Sequence, residues 1–375
     1  MLRLLIAIIL FLLSLLTVFR APTNLLWYVS ILITEFCWIF IIVTAILLMW
    51  RFGGNKYNVL AAVITVASLV LLMAPIIGAY KVAGKAQAMF AKSAGSSLDN
   101  GKSSPYKPWR MISGINADKV PYTTLTYDVA NALTLDFYAS KPTGARPCVV
   151  VVHGGSWAGG DSKQLPELNS ELAKDGYHVV SINYRLAPKH TFPAPIDDVK
   201  TALTYLRANA DRLAIDTNNF VLLGRSAGGQ IVMAAAYVFN DPSIKGVISF
   251  YGPADMVWGY ANPTNPLVLN SRKVMEDYLG GTYRQEPQQY INSSATEIAS
   301  SSSPPTLLIH GENDPLVSHL HGVRLDKKLD MVGVKHYDLN LPWATHGFDW
   351  TLNGPGGQLS TWTVKAFINE VVQKQ

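Results

Sequence analysis

Apolar and polar positions along the chain fall into two regimes. Residues 4–19, 24–50 and 57–80 form three long apolar runs; from residue 122 onward, short apolar stretches alternate with amphipathic ones. A bilayer core needs about 20 apolar residues of helix, which the second and third runs meet and the first nearly meets. The first run is flanked by Arg3 and Arg20, and Val18-Phe19-Arg20 offers no small-residue cleavage site, so it reads as a retained helix rather than a signal peptide. Trp27, Tyr28, Trp50, Tyr57 and Tyr80 sit near the ends of the later runs, where interfacial aromatics are expected. The expectation is a multi-pass transmembrane region over residues 1–81 with helices at 4–19, 24–50 and 57–80. The flanking cations (Arg3, Arg51 and Lys56 against Arg20, Lys81, Lys85 and Lys92) do not choose which side carries the rest of the chain. Glu35, the one acid within these runs, reads either as a functional intramembrane acid or as a group hydrogen-bonded to a neighbouring helix.

Residues 82–121 turn to alanine, glycine, serine, lysine and proline and read as a linker or juxtamembrane segment. Residues 122–375 then read as an α/β domain. Alternation over 122–127 and 133–138 about Asn131 predicts a hairpin. The β-branched run 147–153 predicts a strand buried on both faces. Further strands are expected at 178–183, 220–223, 246–251, 306–310 and 336–341, and helices at 164–175, 196–208, 227–239, 316–331 and 360–372. Such alternation predicts a mostly parallel sheet covered on both faces. It lapses over 253–304, which reads as an insertion over the carboxyl ends of the strands, with Met256, Trp258 and Tyr260 as residues for either a pocket wall or packing.

Charged residues make up only 15% of the 375 positions, and the net charge of +5 forms no basic stripe, which argues against nucleic acid as a partner. Cys37 and Cys148 lie in separate apolar runs, so no disulfide is expected, and no Cys/His spacing suggests a metal.

The chemistry centres on Phe220-Val-Leu-Leu-Gly-Arg-Ser-Ala-Gly-Gly-Gln230. A strand, a sharp turn and a helix here would raise the Ser226 hydroxyl above the sheet at the positive end of the helix. Gly224 and Gly228 suit the close backbone approach such a turn needs. A serine nucleophile requires a base and a group to orient that base. His346, between the last strand and last helix, is the candidate base. Asp314, just past the preceding strand, is the candidate acid, with Glu312 its nearest competitor. The order Ser226, Asp314, His346 is that of an α/β-hydrolase. His310 reads as a buried backbone partner, and His319 and His321 as packing or solvated helix residues. His153-Gly-Gly-Ser-Trp157 follows a buried strand, so its amides, with that of Ala227, can face a developing oxyanion.

His153-Gly-Gly-Ser-Trp157, Tyr184-Arg-Leu-Ala-Pro188, Gly224-Arg-Ser-Ala-Gly-Gly229, Gly311-Glu-Asn-Asp314 and His346-Gly-Phe348 resemble, in order and spacing, the hormone-sensitive-lipase-like esterases, and most of all their carboxylesterase and arylformamidase-like branch. The resemblance runs from about residue 122 to the C-terminus. It implies an α/β-hydrolase fold, Ser226, His346 and Asp314 as a triad, the amides of Gly155, Ser156 and Ala227 as oxyanion donors, and His153, Gly154, Gly224 and Gly228 as supporting residues. It implies no metal and no cofactor. Ser156 stands where that family commonly has a third glycine, and the apolar N-terminal runs are not part of its usual pattern. Asp197 and Asp198 read as first-turn acids of a helix. The expected function is a membrane-anchored carboxylic-ester hydrolase acting on a small-molecule or lipid ester. An acyltransferase on a lipid or envelope glycan and an inactive hydrolase-fold scaffold are its rivals.

Overall fold

The computed structural model describes residues 1–50, 57–90, 104–114 and 119–372. At its centre lies an eight-stranded sheet in the order β1-β2-β4-β3-β5-β6-β7-β8. The strands are β1 Thr123–Asp128, β2 Leu133–Tyr138, β3 Arg146–Val152, β4 His178–Ile182, β5 Ile215–Arg225, β6 Ile244–Phe250, β7 Thr306–Gly311 and β8 His336–Leu341. β2 runs antiparallel to both β1 and β4, and the remaining pairs are parallel. The Cys-Val-Val-Val-Val stretch of β3 is buried throughout, as a central parallel strand between two helical layers must be. This is the α/β-hydrolase fold.

Helices cover both faces of this sheet. Five flank the sheet: α6 Pro166–Lys174, α7 Ala194–Ala208, α8 Ala227–Phe239, α9 Leu320–Val332 and α10 Pro355–Val371. One face packs α7, α8 and α9 with Ile231, Leu325 and Leu203; the other packs α6 and α10 with Leu172, Phe367 and Val364. The sequence expected α9 four residues earlier and α10 to begin at 360. Asp314 ties up the amides of Leu316 and Val317, which delays α9, and Pro355 at the first turn of α10 allows an earlier start. The 253–304 insertion folds into four short helices, Met256–Ala261, Ser271–Leu279, Pro287–Ser293 and Ala295–Ile298, which form a cap.

The N-terminal region departs from three uniform spans. It contains α1 Leu2–Ser14, α2 Asn24–Glu35, α3 Cys37–Met49, α4 Asn58–Leu72 and α5 Ala74–Phe90. The first run makes a helix over Leu2–Thr17, short for a span. The second run breaks at Phe36, where α2 and α3 meet at 81°, because the two halves have different neighbours: α2 packs on the hydrolase domain, α3 on α1 and α4. Among the described residues one helix, Asn58–Phe90, is long and apolar enough to cross a membrane. It runs past residue 82, where composition suggested a linker, because Val82, Ala83, Ala86 and Phe90 bury against α10 and β8. Arg51, Lys56 and Lys92, used in weighing orientation, and residues 91–103 and 115–118 of the expected linker, lie outside the described residues. Both cysteines are free and buried.

Candidate active site

Ser226 lies between β5 and α8 with φ 52° and ψ −119°. This conformation is costly for a side-chain-bearing residue and persists only where its surroundings enforce it. They do so here by excluding side chains: a Cβ on Gly224 would lie 2.1 Å from the Gly228 carbonyl oxygen, and one on Gly228 would lie 2.2 Å from that of Val152. The Ser226 amide donates to the Phe250 carbonyl at 2.9 Å, pinning the turn to β6. Ala227, the first residue of α8, has an amide with no partner inside the helix.

The loop after β3 abuts this turn. A Cβ on Gly154 would sit 3.2 Å from Ser226 Cβ. Gln164 accepts from the Gly154 amide at 2.7 Å, and the amides of Ala158 and Gly159 both donate to the Gly155 carbonyl at 3.0 Å. Gly155, Ser156 and Trp157 all have positive φ. Trp157 anchors the loop: its indole donates to Gln230 at 2.9 Å and stacks on Tyr278 of the cap at 4.4 Å. His153 stacks on Tyr184 and pairs with the Gly154 carbonyl; its burial lowers its pKa, so it is a neutral structural residue.

Asp314 and His346 meet across the ends of β7 and β8. Gly311 permits the approach, since a Cβ there would strike the Ala344 carbonyl at 2.2 Å, and the Asn313 amide donates to that same carbonyl. His346 Nδ1 lies 2.6 Å from Asp314 Oδ2, while Asp314 Oδ1 accepts from the amides of Leu316 and Val317 at 2.8 and 2.9 Å. Burial alone would raise the Asp314 carboxyl. The facing His346 and hydrogen bonds from His310 and His346 outweigh it and hold the group below the ordinary carboxylate range. An ionised carboxylate in this position favours the tautomer that carries the proton on Nδ1, in which Nε2 is an acceptor. Asp314, not Glu312, is the acid that faces the histidine. His310 bonds the Val317 carbonyl at 3.0 Å and also lies 3.3 Å from Asp314. His321 is buried with Nδ1 accepting the Asp255 amide, and His319 contacts Arg20.

A cavity of about 610 Å³ opens at these strand ends, lined by Ser156, Ser226, Ala227 and Asp314 from the domain and by Trp258 from the cap. Met256 and Tyr260 are not in its wall; Met256 is wholly buried, and Tyr260 donates to Glu276. Asp198, expected as a first-turn acid, is instead buried and bonds both the backbone and guanidinium of Arg185 at 2.8 Å.

Four residues near the site were not found by motif reasoning. Arg225 and Asp349 form a buried pair at 2.5 Å, and Tyr251 donates to the same carboxylate while its ring lies 4.3 Å from that of His346. The signal available was a pair of opposite charges inside two otherwise apolar motifs. Trp27 donates to the His346 carbonyl at 2.8 Å, and nothing local in the sequence points to that contact.

The BD-FAE family model matches residues 135–329, more than half of the chain. The esterase LipC of Mycobacterium tuberculosis is 31% identical over 64% of this chain, and the esterase LipQ of the same organism 28% identical over 56%. The chain spans 62% and 52% of the lengths of these two relatives. Among solved structures, EstE1, a thermostable carboxylesterase cloned from a metagenomic library, superposes with a TM-score of 0.61 at 20% identity, covering 80% of this chain and 98% of its own.

Proposed function

We propose, starting from a chain that belongs to the BD-FAE family, that this protein is a membrane-anchored serine hydrolase of carboxylic esters. The observation that carries the reading is the 2.6 Å contact between His346 Nδ1 and Asp314, a residue that lines the same cavity as Ser226. Ser226 attacks the ester carbonyl as His346 Nε2 accepts the hydroxyl proton, and Asp314 balances the imidazolium. The amides of Gly155, Ser156 and Ala227 receive the negative charge that develops on the carbonyl oxygen. The alcohol leaves with the proton held by His346, and an acyl-serine remains. Water then gives a proton to His346 and attacks the acyl carbon; the bond from that carbon to Ser226 Oγ breaks, Oγ takes the proton back from His346, and the acid leaves. The names of LipC, LipQ and EstE1 as esterases support this reaction class.

Anchoring rests on the helix Asn58–Phe90, whose Val59, Val63 and Val70 are 75%, 61% and 67% exposed, an arrangement suited to lipid and not to water. α1 and α3 pack against this helix and are its companions in the anchor, and esters that partition into the bilayer are the substrate class this placement favours.

The test is labelling of the full chain in detergent with a fluorophosphonate, beside Ser226→Ala. We expect Ser226→Ala to lose labelling and to lower turnover of acetyl and octanoyl aryl esters by roughly ten-thousand-fold. Unchanged turnover in that variant would remove the mechanism. Transfer of the acyl group to an added alcohol in preference to water would instead make the protein an acyltransferase.

A further inference from the structure

Trp27, Ile31 and Glu35 fall at positions i, i+4 and i+8 of α2 and therefore share one face of that helix. That face lies against a single stretch of chain, the segment from His346 to the start of α10. At its near end the Trp27 indole donates to the His346 carbonyl at 2.8 Å, and its ring meets the imidazole edge-on at 6.0 Å. In the middle, Ile31 Cδ1 packs where a Cβ on Gly347 would lie 3.5 Å away. At the far end the Glu35 carboxyl group accepts from the amides of Gly356 and Gly357 at 3.0 and 3.4 Å, satisfying two open donors in the first turn of a 17-residue helix. Gly354 and Gly356 leave no room there for a side chain beside Glu35. The chain leading into α2 is fastened too: the Asn24 amide bonds the Leu267 carbonyl of the cap, Arg20 bonds that of Glu312, and Ala21 and Pro22 line the cavity.

The geometry points to α2 as a positioning element of the active site, with Trp27 and Glu35 as residues that act through His346. Asp314 and Tyr251 orient the imidazole, but the backbone that carries it is held by a helix from the apolar N-terminal region. Phe36 joins α2 to α3, whose Ile42, Ile46 and Met49 are exposed apolar residues, so seating of the anchor and placement of the base are linked. Small displacements of a reacting group are expensive, about a hundredfold for about 1 Å. This inference rests on the hydrolase reading above.

The experiment uses the full chain in detergent micelles, with ester turnover expressed per active site titrated by a phosphonate, so that loss of folded protein does not register. Trp27→Phe keeps the ring and removes the N–H. We expect kcat per titrated site to fall about tenfold, with KM changed by less than about twofold. Glu35→Gln keeps an acceptor for the two amides and retains most of kcat, whereas Glu35→Leu does not. Wild-type kcat per titrated site in Trp27→Phe overturns the proposal; if Glu35→Leu fails to fold, Trp27→Phe and the Glu35→Gln rescue still decide it. Turnover that survives Ser226→Ala would instead defeat the underlying hydrolase reading, whatever Trp27→Phe does.

Discussion

On one side of the cavity Ser226 and the 153–160 loop are held mainly by close backbone approach to each other and to the neighbouring strands, with Trp157 tying the loop to Gln230 and to Tyr278 of the cap. Glycines at 154, 155, 224 and 228 let backbone pass at distances no side chain could share. On the other side His346 meets residues far away in sequence: Asp314, Tyr251, and Trp27, 319 positions upstream. Steric exclusion is short-ranged and leaves a mark in sequence as glycine. A hydrogen bond from a remote side chain leaves no such mark. The first side is therefore written largely as a motif, and the second is assembled from distant parts of the chain, the N-terminal region among them.

The Arg225–Asp349 pair joins the two sides, since Arg225 immediately precedes Ser226 and Asp349 lies three residues after His346. Removing one partner of a buried ion pair strands the other charge. We expect Arg225→Met to cost about 3–5 kcal/mol of stability, read from the denaturant midpoint in detergent. Replacing both partners by apolar residues should recover more than half of that loss. A single-variant cost below about 1 kcal/mol would mean the two sides are not joined through this pair.

Acid should loosen the histidine side first. Burial, with a smaller push from neighbouring His310, lowers the His321 pKa from 6.5 to about 3. The unfolded chain takes up this proton near the ordinary histidine range and the folded chain does not, so protonation favours unfolding. The contribution of neutral His321 is complete above about pH 6.5 and is lost as pH falls towards about 3. The depressed Asp314 carboxyl adds to the loss only below the ordinary carboxylate range, about pH 4. His321→Gln should narrow the difference in Tm between about pH 7 and about pH 5; an unchanged difference would assign the acid sensitivity to another group.

The smallest effect is expected on the serine side. Ser156 holds φ at 53° where a glycine would carry no strain. Ser156→Gly should therefore gain about 0.5–1 kcal/mol in thermal unfolding. A loss would show that the Ser156 side chain, and not backbone geometry, holds that turn.

Much of the fold was legible because its signals are periodic. All eight strands and the helix after Ser226 follow from apolar runs, β-branched residues and turn glycines, and the positions of Asp314 and His346 followed from strand ends. The path of residues 24–50 was not legible. An apolar run states that water is avoided, and α2 avoids it by packing on protein while the neighbouring α3 stays exposed, two outcomes with one hydropathy. Glu35 was the only hint of the difference, a carboxyl group whose partners are two amides some 320 residues away.

Sequence alone determined the chain order of the candidate residues, the strained turn at Ser226 and the glycine-rich loop beside it, because backbone conformation and close approach are set by which residues lack a side chain. Tertiary structure alone decided that α2 turns away from α3 at Phe36, that Arg225 faces Asp349, and that the His346 carbonyl meets an indole from the N-terminal region. Those contacts depend on which buried polar groups satisfy one another once the layers are assembled, and that pairing is a property of the whole packed chain.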